Sequence, residues 1–287
     1  MNNKNKIKLP LLVTVGPVSA WMILLVAIPF IYIFVISFMK KGTYGGVIIG
    51  FTLNNFQQVF DPLYLKVFGE SLLISTLTTI ICILIAYPFT YFIAEKTTIK
   101  KTVFMAMVIV PFLVSSLIRL FGWINLLRKD GIINSILLKW GLIHEPLQLV
   151  YNNTGVMIGL VYMLLPFMVL PLYSSIEKLD KSLLEACSDL GAKPATAFFK
   201  VTLPLTMPGV FAGSILVFIP SLGYFFVSDI LGGNKTQVIG NIIKNQFITA
   251  RNWPLGAAIS IFLIIITLVL VGLYQKSGGN MDDLGGI

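Results

Sequence analysis

Charge is scarce in this chain: only 11% of its 287 residues are Asp, Glu, Lys or Arg, where soluble domains carry about a quarter. With 56% hydrophobic residues and a mean hydropathy of +0.89, it is an integral membrane protein. Histidine is limited to His144, and cysteine to Cys82 and Cys187. One imidazole and two scattered thiols cannot build a common structural zinc site or a Ser-His-Asp triad. Cys82 falls in an apolar run and Cys187 in a polar segment, so no disulfide is expected between them. The phosphate cradle G-x-x-x-x-G-K-[ST] is also missing, since Gly232-Gly233-Asn234-Lys235-Thr236 lacks its spacing. ATP hydrolysis coupled to this chain must come from another.

What the sequence does contain is six apolar runs long enough to cross a bilayer: Leu11–Phe38, Ser71–Ala94, Thr102–Leu127, Gly155–Ile176, Pro208–Ser228 and Leu255–Tyr274. An all-α membrane protein with six transmembrane helices follows, with both termini on one side. The segments on the terminal side carry 11 of the 21 Lys and Arg, against nine in longer segments opposite, with Arg119 inside a run. This is a modest positive-inside bias, placing the termini in the cytoplasm. The net charge of +9 sits largely beside the apolar runs, where lysines anchor spans at headgroups, and no nucleic-acid partner is expected. Lys4, Lys6 and Lys8 precede the first run, and Val18-Ser19-Ala20 has the form of a cleavage site. Hydrophobicity continues to Phe38, so an uncleaved span is the better reading.

Between the fourth and fifth runs lies an organised polar segment, Lys178 to Pro204. Ser182 and Glu185 have the spacing of a capping box. Leu183, Leu184, Cys187 and Leu190 share a helical face, and Gly191 can supply the left-handed residue that ends the helix. Lys193-Pro194 restarts the chain, because proline is tolerated in a first helical turn. Two short helices at an angle are expected, either as an ordinary interfacial element or as a dock for a partner.

Read as Glu185-Ala186-Cys187, Gly191-Ala192, Phe198 and Leu203-Pro204, the segment resembles the EAA loop of permease subunits in ABC importers. Cys187 replaces the second alanine, a small-for-small change. The resemblance implies a type I importer permease (MetI-like) fold, with residues 177–204 as a cytoplasmic coupling loop seated in an ATPase cleft through Ser182, Glu185, Ala186, Cys187, Gly191, Ala192, Leu203 and Pro204. Further runs are similar to the spermidine/putrescine importers within that superfamily: Asp61-Pro62-Leu63-Tyr64, Leu164 to Met168, Pro171 to Lys181, Pro204 to Gly209, Val227-Ser228-Asp229 and Ile239-Gly240-Asn241. They imply a bacterial inner-membrane polyamine importer subunit with residues 1–10 and 275–287 cytoplasmic. Its implied partners are a second homologous permease, two ATPase subunits holding ATP and Mg, and an extracytoplasmic polyamine-binding protein. No cofactor is expected on this chain. An importer of another small cationic or organic solute remains the alternative. A membrane enzyme lacks a catalytic constellation, and a self-sufficient channel would transport without an ATPase.

A polyamine passage must pair about three positive charges in a poorly solvating interior. Asp229 follows Tyr224, Phe225 and Phe226, and Pro220 leaves the Leu216 carbonyl without its helical N–H. Carboxylate, carbonyl and ring faces therefore occur within a few turns, suited to ammonium groups. The same residues equally describe a solvated aspartate beside an interfacial aromatic belt. Glu70 is a weaker candidate that could equally cap the second run or face water. Arg119, near the outer end of the third run, is expected to snorkel or to pair with Glu70 or Asp130 as a latch, and Trp123 to anchor at the interface. Gly155-x-x-x-Gly159 and Gly209-x-x-x-Gly213 offer close helix approach within the subunit. In the last outer segment, Ile239, Ile242, Ile243 and Phe247 suggest a short amphipathic helix.

Overall fold

The computed structural model describes residues 8–233 and 236–276. The expected cytoplasmic segments 1–10 and 275–287 lie largely outside them, as do Asn234 and Lys235. Among the described residues, five helices are long and apolar enough to span a membrane: Val15–Ser37, Pro62–Ala94, Asn153–Glu177, Pro194–Gly223 and Trp253–Leu273. A sixth span exists only as a bent pair, Thr98–Leu113 and Ser116–Lys139, whose axes differ by 98°.

That bend interrupts the third span expected over 102–127. The helix Thr98–Ile109 tightens into a 3-10 turn at Val110–Leu113 around Pro111. Val114 (φ −81, ψ 142) and Ser115 (φ −49, ψ 134) are then extended before Ser116–Leu127 resumes. Apolar composition runs unbroken through this point, so hydropathy registers no corner. The fifth span also differs from Pro208–Ser228: its helix begins at Pro194 and stops at Gly223, and Tyr224 (φ −74, ψ 61) leaves helical geometry. Asp229 therefore lies beyond a break, in the π-helical turn Ser228–Gly232.

Two further π-helical turns have a proline as their cause. Pro29 and Pro204 cannot donate to the carbonyls of Leu25 and Lys200, and each ring crowds its carbonyl. Those carbonyls lie inside the wide turns Ile23–Ala27 and Phe198–Thr202. The turns close through Ile28 N–H to Ile23 and Leu203 N–H to Phe198, the longer bond that defines such a bulge.

The chain forms two compact units. One comprises residues up to Tyr64 with Ile243–Ile265. Here Phe38, at the end of the first span, stacks on Phe51 at 5.8 Å and meets Phe56 at 5.0 Å. Asn55 donates to the Ser37 and Met39 carbonyls at 2.9 and 2.8 Å, closing the helix end. A two-residue antiparallel pair, Lys40–Lys41 with Val47–Ile48, completes this corner, turning through Gly45 and Gly46 at positive φ. The sequence reading anticipated no strand here.

The other unit comprises Leu65–Ile242 with Ile266 onward. Its core brings together Cys82, Leu120, Leu160, Leu164, Met168, Leu172, Val217, Val227 and Leu231. Helices Asn153–Glu177 and Leu203–Gly223 pack closely through small residues. A Cβ on Gly209 would stand 2.5 Å from the Ser175 Cβ, and one on Gly213 would stand 2.6 Å from the Met168 sulfur. The Gly-x-x-x-Gly spacing thus packs helices inside the subunit, as expected. Cys82 and Cys187 are both free thiols. The outer helix expected around Ile239 to Phe247 is present as Ile239–Ile248.

Candidate functional site

The polar segment after the fourth span folds into the short helix Lys181–Asp189. Its cap is Asp180, not the Ser182–Glu185 box: the Asp180 carboxylate accepts from the Ser182 N–H at 2.9 Å, placing Ser182 inside the first turn. Hydrogen bonds from the Ser182 backbone and hydroxyl hold the Asp180 carboxyl below its ordinary value. The far end closes as expected. Gly191 adopts φ +76, its N–H bonds the Ser188 carbonyl at 2.9 Å, and the Ala192 N–H bonds the Cys187 carbonyl at 3.0 Å. This pair of bonds is the Schellman motif, which satisfies carbonyls the helix leaves open.

The helix is left largely uncovered. Ser182, Leu183, Glu185, Ala186 and Leu190 are exposed, Leu190 at 88% of its surface, and Leu184 and Cys187 are half-buried. An apolar side with an acid at its edge is therefore held at both ends and left largely uncovered among the described residues.

Pro194 restarts the backbone as the first residue of a helical turn. The second short helix expected here is instead the opening turn of the fifth span, running through Leu203 and Pro204 to Gly223. Phe198 fixes that opening turn to the second span, meeting Tyr87 edge-on at 5.4 Å and Tyr91 at 6.3 Å. Below it, the Tyr87 hydroxyl is 2.8 Å from Thr206 Oγ1. Thr206 donates its own proton to the Thr202 carbonyl at 2.8 Å, so Tyr87 is the donor. On the same side, Lys101 and Glu177 form an ion pair at 2.9 Å, and the Tyr173 hydroxyl donates to Glu177 at 2.8 Å.

The second cluster surrounds the broken end of the fifth span. Tyr224 and Phe226 have centroids 5.1 Å apart, and Phe225 meets Phe226 edge-on at 6.1 Å. Asp229 is exposed yet fixed: Asn241 Nδ2 donates to its Oδ1 at 2.7 Å. The same Asn241 accepts from the Val238 N–H at 2.9 Å and donates to the Phe225 carbonyl at 3.2 Å. Ser228 bonds the Thr236 carbonyl, and the Thr236 hydroxyl bonds Asn153. The acid and the three rings thus belong to one hydrogen-bonded turn. Leu216 and Pro220 remain within the helix, before the break. Seven residues separate Leu216 from the helix end, about 10 Å at 1.5 Å per residue, so its carbonyl is not part of that turn.

Two expectations change. Glu70 is exposed and lies well inside the helix Pro62–Ala94, so it caps nothing. The acid at that helix start is Asp61, which accepts from the Leu63 N–H at 2.9 Å. Arg119 lies past the corner of the third span, and its Nε and Nη1 are buried without hydrogen-bond partners, so neither Glu70 nor Asp130 satisfies them. Its guanidinium carbon instead stands 4.3 Å from the Phe112 ring centre and 5.6 Å from that of Tyr162. Trp123 packs edge-on to Tyr162 at 5.3 Å. Asn241 and Tyr87 are the participants that residue type alone did not single out. Broken spans, an uncovered capped helix between spans and a polar turn at a span end are features that fit a membrane transport subunit.

Comparison with known proteins places that subunit. A family model described as "Binding-protein-dependent transport system inner membrane component" matches residues 86–277, and the chain belongs to this family. The "Spermidine/putrescine transport system permease protein PotB" of Haemophilus influenzae is 42% identical over 92% of this chain and 93% of that protein. The protein of the same name from Escherichia coli is 43% identical over 91% and 94%. The fold matches a solved bacterial ABC transporter "involved in the import of the acidic polysaccharide alginate", with a TM-score of 0.74 and 18% identity over 95% of this chain and 96% of that chain. The fold is that of a type I ABC importer permease, a multi-pass inner-membrane architecture.

Proposed function

We propose that this chain is a permease subunit of an ATP-driven polyamine importer, with spermidine and putrescine as its substrate class. The observation that carries the reading is identity above 40% to permeases bearing that substrate name, over more than nine-tenths of both chains. With a second, homologous permease it lines the passage. Two ATPase subunits, which hold ATP and Mg, grip the uncovered helix Lys181–Asp189 and its counterpart on the second permease from the cytoplasm, with both termini on that side. An extracytoplasmic binding protein delivers the cargo.

Force has a short route. When the ATPase pair closes on ATP, it draws the gripped helix inward. The Schellman closure at Gly191 and the Phe198 ring, set against Tyr87 and Tyr91, pass the displacement to the second and fifth spans. A passage open to the cytoplasm becomes one open to the binding protein, a two-state element biased by nucleotide. At the other end, the Asp229 carboxylate and the rings of Tyr224, Phe225 and Phe226 receive ammonium groups by ion pairing and ring contact.

Uptake of labelled spermidine and putrescine, in a strain whose own polyamine importers are deleted and which receives this chain with its partner subunits, tests the reading. Uptake that needs ATP and is competed by either polyamine is expected. Uptake indifferent to both would reject it.

A further inference from the structure

We propose that Phe112 and Tyr162 form a binding site for a primary alkylammonium group, and that Arg119 is a tethered occupant which the substrate displaces. The inference rests on the polyamine reading above and adds residues on which that reading does not depend. Arg119 lies within cation–π reach of both rings, at 4.3 and 5.6 Å. Its Nε and Nη1 are stripped of water and have no acceptor. A guanidinium normally spends its N–H groups on carboxylates or carbonyls; here the buried Nε and Nη1 meet no acceptor, and ring faces stand beside them. That is the environment an ammonium seeks, already filled by a cation on a flexible stem.

A second observation concerns space. Tyr162, with Trp123 edge-on to it at 5.3 Å, also lines an open groove of about 360 Å³ together with Ile81, Ile85, Met157 and Val161. The wall is almost wholly apolar, which suits the methylene chain of a polyamine, and the ring of Tyr162 belongs to both places. Two cations cannot share one ring pair, because like charges a few ångströms apart repel strongly away from water. An arriving ammonium therefore expels the Arg119 head, whose apolar stem lets it swing toward solvent. When the substrate leaves, the arginine returns. The exchange trades one ring-bound cation for another, so occupancy follows substrate concentration. Because Phe112 precedes the corner of the third span and Arg119 follows it, displacement also releases a contact across that corner.

The test is equilibrium binding of radiolabelled spermidine to the assembled transporter in nanodiscs, with the binding protein omitted. R119M should tighten binding about five- to tenfold, the gain from removing a competitor held by two ring faces. R119K, which keeps a tethered cation, should stay close to wild type, and F112L should weaken binding with either Arg or Met at 119. R119Q serves as a second neutral variant. Unchanged or weaker binding in both neutral variants, with wild type binding normally, overturns this inference alone. Failure of wild type to bind any polyamine overturns it together with the reading it rests on. Loss of the assembled complex in R119M and R119Q, restored in R119K, would make Arg119 a strut and also overturn it.

Discussion

The Tyr87 hydroxyl donates to Thr206 across 2.8 Å, joining the second span to the first turns of the fifth where both residues are buried. The bond lies directly beneath Phe198, which rests edge-on against the same Tyr87 ring. One side chain thus carries an apolar contact from the coupling segment and a polar one into the bundle. Tyr87→Phe deletes only the hydroxyl. Thr206 still donates to its own helix, so the stability cost should be about 1 kcal/mol, read as a small drop in the melting temperature of the solubilised protein. Phe198→Ala removes the ring itself, and should uncouple the machine: uptake falls at least about tenfold while the ATPase subunits remain bound and active. Coordinate loss of uptake and ATPase binding would reassign Phe198 to the docking face.

Gly191 tests the closure of the helix Lys181–Asp189, proposed above as the coupling helix. At φ +76 a proline cannot adopt the backbone, and it would also remove the N–H that bonds Ser188. Gly191→Pro should abolish uptake with normal amounts of protein in the membrane. Gly191→Ala meets no atom within 4 Å, so only the strain of a left-handed alanine remains, about 1 kcal/mol, and partial uptake should persist. Wild-type uptake by the proline variant would contradict the coupling role.

Asp180 gives the same helix a pH dependence. Its folded carboxyl is held below its ordinary value by hydrogen bonds from the Ser182 backbone and hydroxyl. A depressed carboxyl contributes stability that is complete above the unfolded value and disappears as pH falls through the lower folded one. Amide-exchange protection of Ser182 should therefore be flat from neutral pH down to about 4 and decline below it. In Asp180→Ala, protection should be low throughout. A pH-independent profile in wild type would remove Asp180 from the cap.

Asp229→Asn should reduce polyamine uptake about tenfold, the scale of one charge-assisted hydrogen bond, with basal ATPase activity nearly unchanged. The amide can still meet Asn241, so the turn should survive. Equal loss of uptake and basal hydrolysis would indicate a folding role.

Packing predicts a different failure at Gly209. A Cβ there would lie 2.9 Å from the Pro171 carbonyl as well as 2.5 Å from Ser175, both on the neighbouring fourth span. Gly209→Ala should destabilise the bundle by about 1–3 kcal/mol, seen as a lower melting temperature and reduced membrane levels. An unchanged melting temperature would show that the two helices can part freely.

Local chemistry was legible in the sequence; corners and pairings across space were not. Gly191 and Pro194 could be read directly because each acts through its own backbone. The cap was misplaced by two residues because Asp180 and Ser182 are both competent acceptors, and the choice depends on where the chain turns. Pro111 followed by Ser115-Ser116 was the available sign of the broken third span, but an uninterrupted apolar run concealed it. Arg119 was recognised as anomalous, whereas its setting between Phe112 and Tyr162 requires the corner to be known first. Asn241 looked like an ordinary polar residue of an outer helix until Asp229 was found beside it.

The wide turn Phe198–Thr202 has a consequence for how the subunit would be indexed against the proposed ATPase. An α-helix advances about 100° per residue, whereas a π turn absorbs one additional residue by widening and leaves the helix on its two sides nearly in phase. Removing one residue there would let the turn close as ordinary α-helix with the knob still facing the same way, so this turn tolerates a change of length that elsewhere in the helix would swing the knob by more than a quarter of a revolution.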